Sequence, residues 1–203
     1  MPPPAPPRPP ATLFTLSHHL VRPTVDVRAR AATDALSALD EALRVAQNGA
    51  RDPMLRQIRL RWWSDQLEQL RPGDRPPDPT LARVARDLIA RFDGESRARL
   101  SQWAANHDDA TARGEGLFAI GAHLLGGAEG RAEGGLWGQT AAALEEGAAP
   151  RLFPPLEARA ATRGLAPPLR IMAAQARDVA RRGGRNAPLR DQWISLRVGL
   201  LGR

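Results

Sequence analysis

The run from Asp52 to Glu68 constrains this chain most, because it opens with a clear helix start and then spreads apolar residues over more than half of the helix circumference. Asp52 is suited to accept the free amide hydrogens of a first turn. Pro53 fits the first helical position because its missing donor would have been unpaired there. At about 100° per residue, Met54, Leu55, Ile58 and Trp62 form one apolar stripe, and Leu60, Trp63, Leu67 and Leu70 form a second beside it. Such a helix is expected to be packed on most sides. Arg59 and Gln66 project between the stripes, which predicts that both point inward with Trp62 mostly buried between them. A buried guanidinium needs an anionic or acceptor partner to offset its desolvation.

Other segments repeat the helical period. Ala32, Leu36, Leu39, Leu43 and Ala46 predict an amphipathic helix over 31–47, with Thr33 and Asp34 near its start and Asn48-Gly49 as its stop. The second helix, 53–70, ends before a loop in which Pro and Gly cluster three times between Arg71 and Pro79. Helices are expected over 80–92, with Leu81, Val84, Ala85, Leu88 and Ile89, and over 96–106, with Leu100 and Trp103. Segments 116–125 and 136–144 read as two helices approaching closely through small residues. The glycines at 126, 127, 130, 134, 135 and 138 read as a flexible link between them, since no strand context or Gly-Lys-Ser/Thr ending makes them a nucleotide loop. A last pair is expected to end near Arg182 and to run over 188–201. No segment alternates as a strand would, so the expected fold is all-α, a single-domain helical bundle.

The chain has 203 residues, 42% of them hydrophobic, enough for one substantial core. Residues 1–11 are too rich in proline for a regular element and read as an extended tail, leaving 12–203 as the domain. No cysteine is present, which removes disulfides, thiolate metal sites and a cysteine nucleophile. No run of about 18 apolar residues is available for a membrane span, and the N-terminus lacks the apolar core of a secretion signal. A cytoplasmic protein, soluble or peripheral to the inner membrane, is expected. The net charge is +7 and every basic side chain besides histidine is Arg, a bias that a GC-rich genome would itself produce. The arginine spread, densest around Arg177, Arg181, Arg182, Arg185 and Arg190, therefore reads first as solvated helix surface, with anionic lipid, diphosphate or nucleic acid behind it.

Residues 53–63 fit the pattern P-M-L-x-x-I-R-L-x-W-W, which resembles the squalene/phytoene synthase family and especially its branch related to a mitochondrial complex I assembly factor. The resemblance extends to ALSALDEALR at 35–44 and is supported by GGLWG at 134–138, RLFP at 151–154 and PLRDQWISLR at 188–197. It implies an abbreviated isoprenoid synthase fold. Enzymes of that family use paired Asp-rich motifs on facing helices to hold magnesium ions that grip a prenyl diphosphate. Hard cations require such carboxylates, and two of them three or four residues apart on a helix face one cavity. Placing the first motif on the helix at 35–48 puts Arg44, Val45 and Asn48 where acids are needed. Asp40 and Glu41 are adjacent, about 100° apart, and read as a solvated face. At the second motif, Glu145 and Glu146 are consecutive with no acid a turn later.

The favoured reading is thus a non-catalytic member of the family acting in binding or assembly, with respiratory complex I as the implied target. The branch resembled keeps Arg59 where the Asp motifs are lost, which implies structural pairing or a lipid phosphate for this residue. Arg59, Trp62, Trp63 and Gln66 are the candidate partner or ligand residues, although paired tryptophans at such spacing first suggest core packing. No cofactor is expected on this reading, and the partner is a protein or a prenyl or anionic lipid. The enzyme alternative is a prenyl diphosphate transferase with magnesium on Glu145, Glu146 or Asp108. An Arg-rich RNA or anionic-surface binder is the weakest reading. His107, Asp108 and Asp109 are sequential, have poor metal-ligand spacing and read as a polar turn. His18, His19 and His123 suggest no metal either.

Overall fold

The computed structural model describes residues 21–145 and 164–183, together with Ile194, Arg197 and Val198. The expected tail at 1–11, the segment RLFP, Glu146, Arg185, Arg190, His18 and His19 lie outside the described residues. So does almost all of the helix expected over 188–201.

Among the described residues there are seven α-helices: α1 (Val27–Asn48), α2 (Pro53–Gln69), α3 (Pro79–Asp87), α4 (Gly94–Ala105), α5 (Ala110–Leu125), α6 (Arg131–Glu145) and α7 (Pro167–Arg181). The fold is an all-α, single-domain helical bundle. Its first five helices start alike. Asp26, Asp52, Asp78, Asp93 and Asp109 each accept a hydrogen bond from a first-turn backbone N–H, and Pro53 and Pro79 follow two of them at the first helical position. The α1 start at Val27 precedes the expected Thr33 and Asp34 because Asp26 supplies the cap. The single helix expected over 80–92 is two elements, since α3 ends at Asp87 and a short 3-10 turn covers Ile89–Arg91.

The core follows the helical period. Leu36, Leu39 and Leu43 of α1 meet Leu60, Trp63 and Leu67 of α2, Leu81 and Val84 of α3, Leu100 and Trp103 of α4, and Phe118, Trp137 and Ile171 of the later helices. Among the described residues, α2 packs chiefly against α1 and α4, on the side that carries Leu60, Trp63 and Leu67.

The glycine-rich link differs from expectation. Gly134, Gly135 and Gly138 lie inside α6, and they bring its backbone against α5. A Cβ on Gly138 would stand 1.9 Å from the Ala110 carbonyl oxygen, and one on Gly114 would stand 1.8 Å from that of Gly134. Only hydrogen fits in these places. The true link is shorter, and Gly126 ends α5 with a φ of 74° that favours glycine.

Candidate functional site

Two regions stand out among the described residues: a buried polar network inside the bundle, and the outer side of α2. The network centres on Asp40, 1% exposed, which lies on the Leu36 and Leu43 face of α1 and faces inward. Its Oδ1 accepts from His107 Nε2 at 3.0 Å and from Arg113 Nε at 3.0 Å, and its Oδ2 accepts from Arg113 Nη2 at 2.8 Å. The remaining Arg113 nitrogen, Nη1, donates to Glu145 Oε1 at 3.3 Å. The guanidinium also lies over Trp137, 5.6 Å from the ring centroid, and the Arg113 carbonyl accepts from Trp103 Nε1 at 2.8 Å. Side chains from α1, α4, α5 and α6 and from the turn after α4 are thereby fixed to one another.

Electrostatics follow from that geometry. Burial by itself would raise the Asp40 carboxyl, but the Arg113 charge, then the hydrogen bond and charge of His107, hold it well below the usual carboxylate range. Burial pushes the His107 imidazole down, more than its bond to Asp40 lifts it. Burial likewise opposes the charge on Arg113, yet Asp40 and Glu145 keep it firmly protonated.

Two expectations are corrected here. Asp40 is not part of a solvated face, because the Arg113 guanidinium neutralises it inside the bundle; Glu41 beside it is exposed and pairs with Arg44. His107 is not a loose polar turn but a buried partner of Asp40. Of the carboxylates named as replacement metal ligands, Glu145 is engaged by Arg113, Asp108 is exposed, and Glu146 lies outside the described residues. The described residues contain no group of three His, Asp or Glu able to hold a metal ion.

The second region reverses the reading of α2. The stripe of Leu60, Trp63, Leu67 and Leu70 is buried as expected, but Met54, Leu55, Ile58 and Trp62 are exposed by 70%, 50%, 57% and 47%. Arg59 does not enter the bundle: it is exposed and reaches only the Ala46 carbonyl, with Nη1 at 3.5 Å. Gln66 is half-buried. Trp62 stands edge-on to the buried Trp63, with ring centroids 5.3 Å apart. The physical reason is placement. A helix covered on one side by α1 and α4 cannot bury two apolar stripes, and the Leu60 stripe is the one that faces the core.

Arg59→Ala is therefore expected to change the folding free energy by less than about 0.5 kcal/mol in urea denaturation. A loss of several kcal/mol would instead mean that Arg59 has a buried partner.

Beside the exposed stripe, α2 and α4 enclose a polar groove of about 890 Å³ lined by Arg61, Arg71, Arg97, Glu68, Gln102 and Asn106, among others. Its floor includes the buried Ser64 and Ser101, whose hydroxyls are 2.9 Å apart. Thus Arg59, Trp62, Trp63 and Gln66 share one helix but divide between an outer face and the core.

Sequence reasoning missed Asp40, His107 and Arg113. A signal for two of them existed: Asp40 is four residues after Leu36 and three before Leu43, and Arg113 is four before Leu117, which places each on an apolar face. No protein-family model, curated protein or solved structure matches the chain.

Proposed function

We propose that this chain is a non-catalytic protein of the squalene/phytoene synthase type that acts by binding, in the assembly of a membrane-bound respiratory complex, with complex I as the target that the sequence resemblance implies. The observation that supports a binding role is the uncovered face of α2, where four large apolar side chains stand together in water. Single exposed apolar residues are ordinary, but a contiguous stripe marks an interaction surface. The same helix carries the P-M-L-x-x-I-R-L-x-W-W pattern, so the segment most like the family and the face most in need of a partner coincide. The buried carboxylate nearest the family's first metal motif is committed to Arg113, which favours an architectural role for that part of the bundle.

The test is deletion of the gene followed by quantitative proteomics of membrane complexes. Complex I amount and activity are expected to fall, to recover with the wild-type chain, and to stay low with a variant carrying Ile58→Glu and Trp62→Glu. Unchanged complex I in the deletion strain would overturn the proposal.

A further inference from the structure

The outer face of α2 is more than apolar. At about 100° per residue, Met54, Ile58 and Trp62 run along one line with Leu55 beside them, while Arg59 borders the stripe on one side and Arg61 on the other. Arg51 is exposed just before the helix, and Val45, 57% exposed, adjoins the Ala46 carbonyl that Arg59 reaches. Past the Arg61 border lies the polar groove that also contains Arg71 and Arg97.

Two of the carboxylates on this side are committed. Asp52 accepts from the Met54 amide at 2.8 Å, and Asp65 pairs with Arg61 at 3.0 Å. Glu68 lines the groove together with Arg71 and Arg97. Each of those two arginines spends a side-chain nitrogen on a nearby backbone carbonyl, Arg71 on Glu68 and Arg97 on Asp93, which leaves other guanidinium donors in the groove.

This pattern discriminates between occupants. A partner helix would need an apolar groove to receive its own ridge, whereas here the ridge is apolar and the adjoining groove is polar. A second copy of the chain would bring its own arginine borders against these, like charge against like. An anionic bilayer suits both parts at once: the apolar side chains enter below the headgroups and the arginines meet phosphates. We infer that α2 lays its outer face on an anionic membrane surface, inserting Met54, Leu55, Ile58 and Trp62, with the phosphate of an acidic phospholipid in the Arg61–Arg71–Arg97 groove. This rests on reading the α2 face as the docking surface of the proposed function, and it names the partner there.

The experiment is flotation of the full chain with vesicles of phosphatidylcholine, alone or doped with phosphatidylglycerol, combined with tryptophan fluorescence. Binding to the doped vesicles is expected to be at least about tenfold tighter and to weaken as salt is raised. The emission should shift to the blue with those vesicles, and Trp62→Phe should remove most of the shift. Ile58→Glu, and separately the pair Arg71→Gln and Arg97→Gln, should each weaken binding by about tenfold while melting temperature stays at the wild-type value. Glycerol phosphate in solution should not displace the protein from vesicles.

Equal affinity for both vesicle types, or none, would overturn the inference, as would a concentration-dependent dimer abolished by Ile58→Glu. If vesicles fail while deletion still lowers complex I, the membrane inference falls and the assembly role stands. If vesicle binding holds while complex I is unaffected, the assembly role falls and the inference stands.

Discussion

Arg113→Ala is expected to destabilise the fold by about 3 to 5 kcal/mol, enough to unfold a domain of ordinary stability, because it strands the Asp40 carboxylate in a site 1% exposed. Asp40→Ala should cost a similar amount by stranding Arg113. Replacing both with leucine should recover much of the loss, since the desolvation of two charges then disappears with their attraction. Urea denaturation of the three variants separates a paired network from two independent contributions.

The same network gives a direction in pH. The carboxyl of Asp40 and the imidazole of His107 both have folded values below their ordinary ones, so between those values the unfolded chain binds more protons than the folded chain. Stability should therefore fall with acid, first below the ordinary histidine value of 6.5 and more steeply below the ordinary aspartate value of 3.8. His107→Gln should abolish the first decline and leave the second in weakened form, because His107 helps to hold the Asp40 carboxyl low. A wild-type stability that stays flat across the histidine range would contradict the neutral, buried imidazole.

Gly138→Ala is the second large effect. Alanine within a helix ordinarily gains about 1 kcal/mol over glycine, so propensity alone predicts a more stable protein. Here the added methyl would stand 1.9 Å from a backbone oxygen of α5, and no rotamer change can relieve a contact between Cβ and main chain. The helices must separate, opening the layer that includes Phe118 and Trp137. The expected loss is more than about 3 kcal/mol, with Gly114→Ala similar and the two losses less than additive. Gly94→Ala, where nothing lies within 4 Å of the new atom, should be nearly neutral. A melting series over these variants checks the contact; a stabilised Gly138→Ala protein would rule it out.

Much of the helix layout could be read from the chain, because the relevant forces are local. Asp52-Pro53 marked the start of α2, the proline-rich stretch after Arg71 marked its end, and the apolar spacing of α1 required no knowledge of its neighbours. What escaped was pairing between distant segments. Asp40 and Arg113 are 73 residues apart, and nothing near either one announces the other. Periodicity also showed that α2 has two apolar stripes but not which would be covered, since that depends on where α1 and α4 come to lie. The glycines of α6 resemble a link for the same reason. A glycine that relaxes the chain and one that admits another backbone look alike until the other helix is in place.

The five aspartates that open α1 to α5 bear on the order of events as the chain folds. Each holds amide hydrogens only two or three residues away, so a helix can find its first turn without waiting for distant contacts. The α5 and α6 helices are then near neighbours along the chain and join through the glycine contact after closing only a short loop, which makes them a natural early hairpin. The Asp40–Arg113 pairing closes a far longer loop and has to come later. The refolding chain should accordingly pass through a stage in which its helices are set and its α5–α6 hairpin is docked while the arginine at the centre of the bundle is still in water.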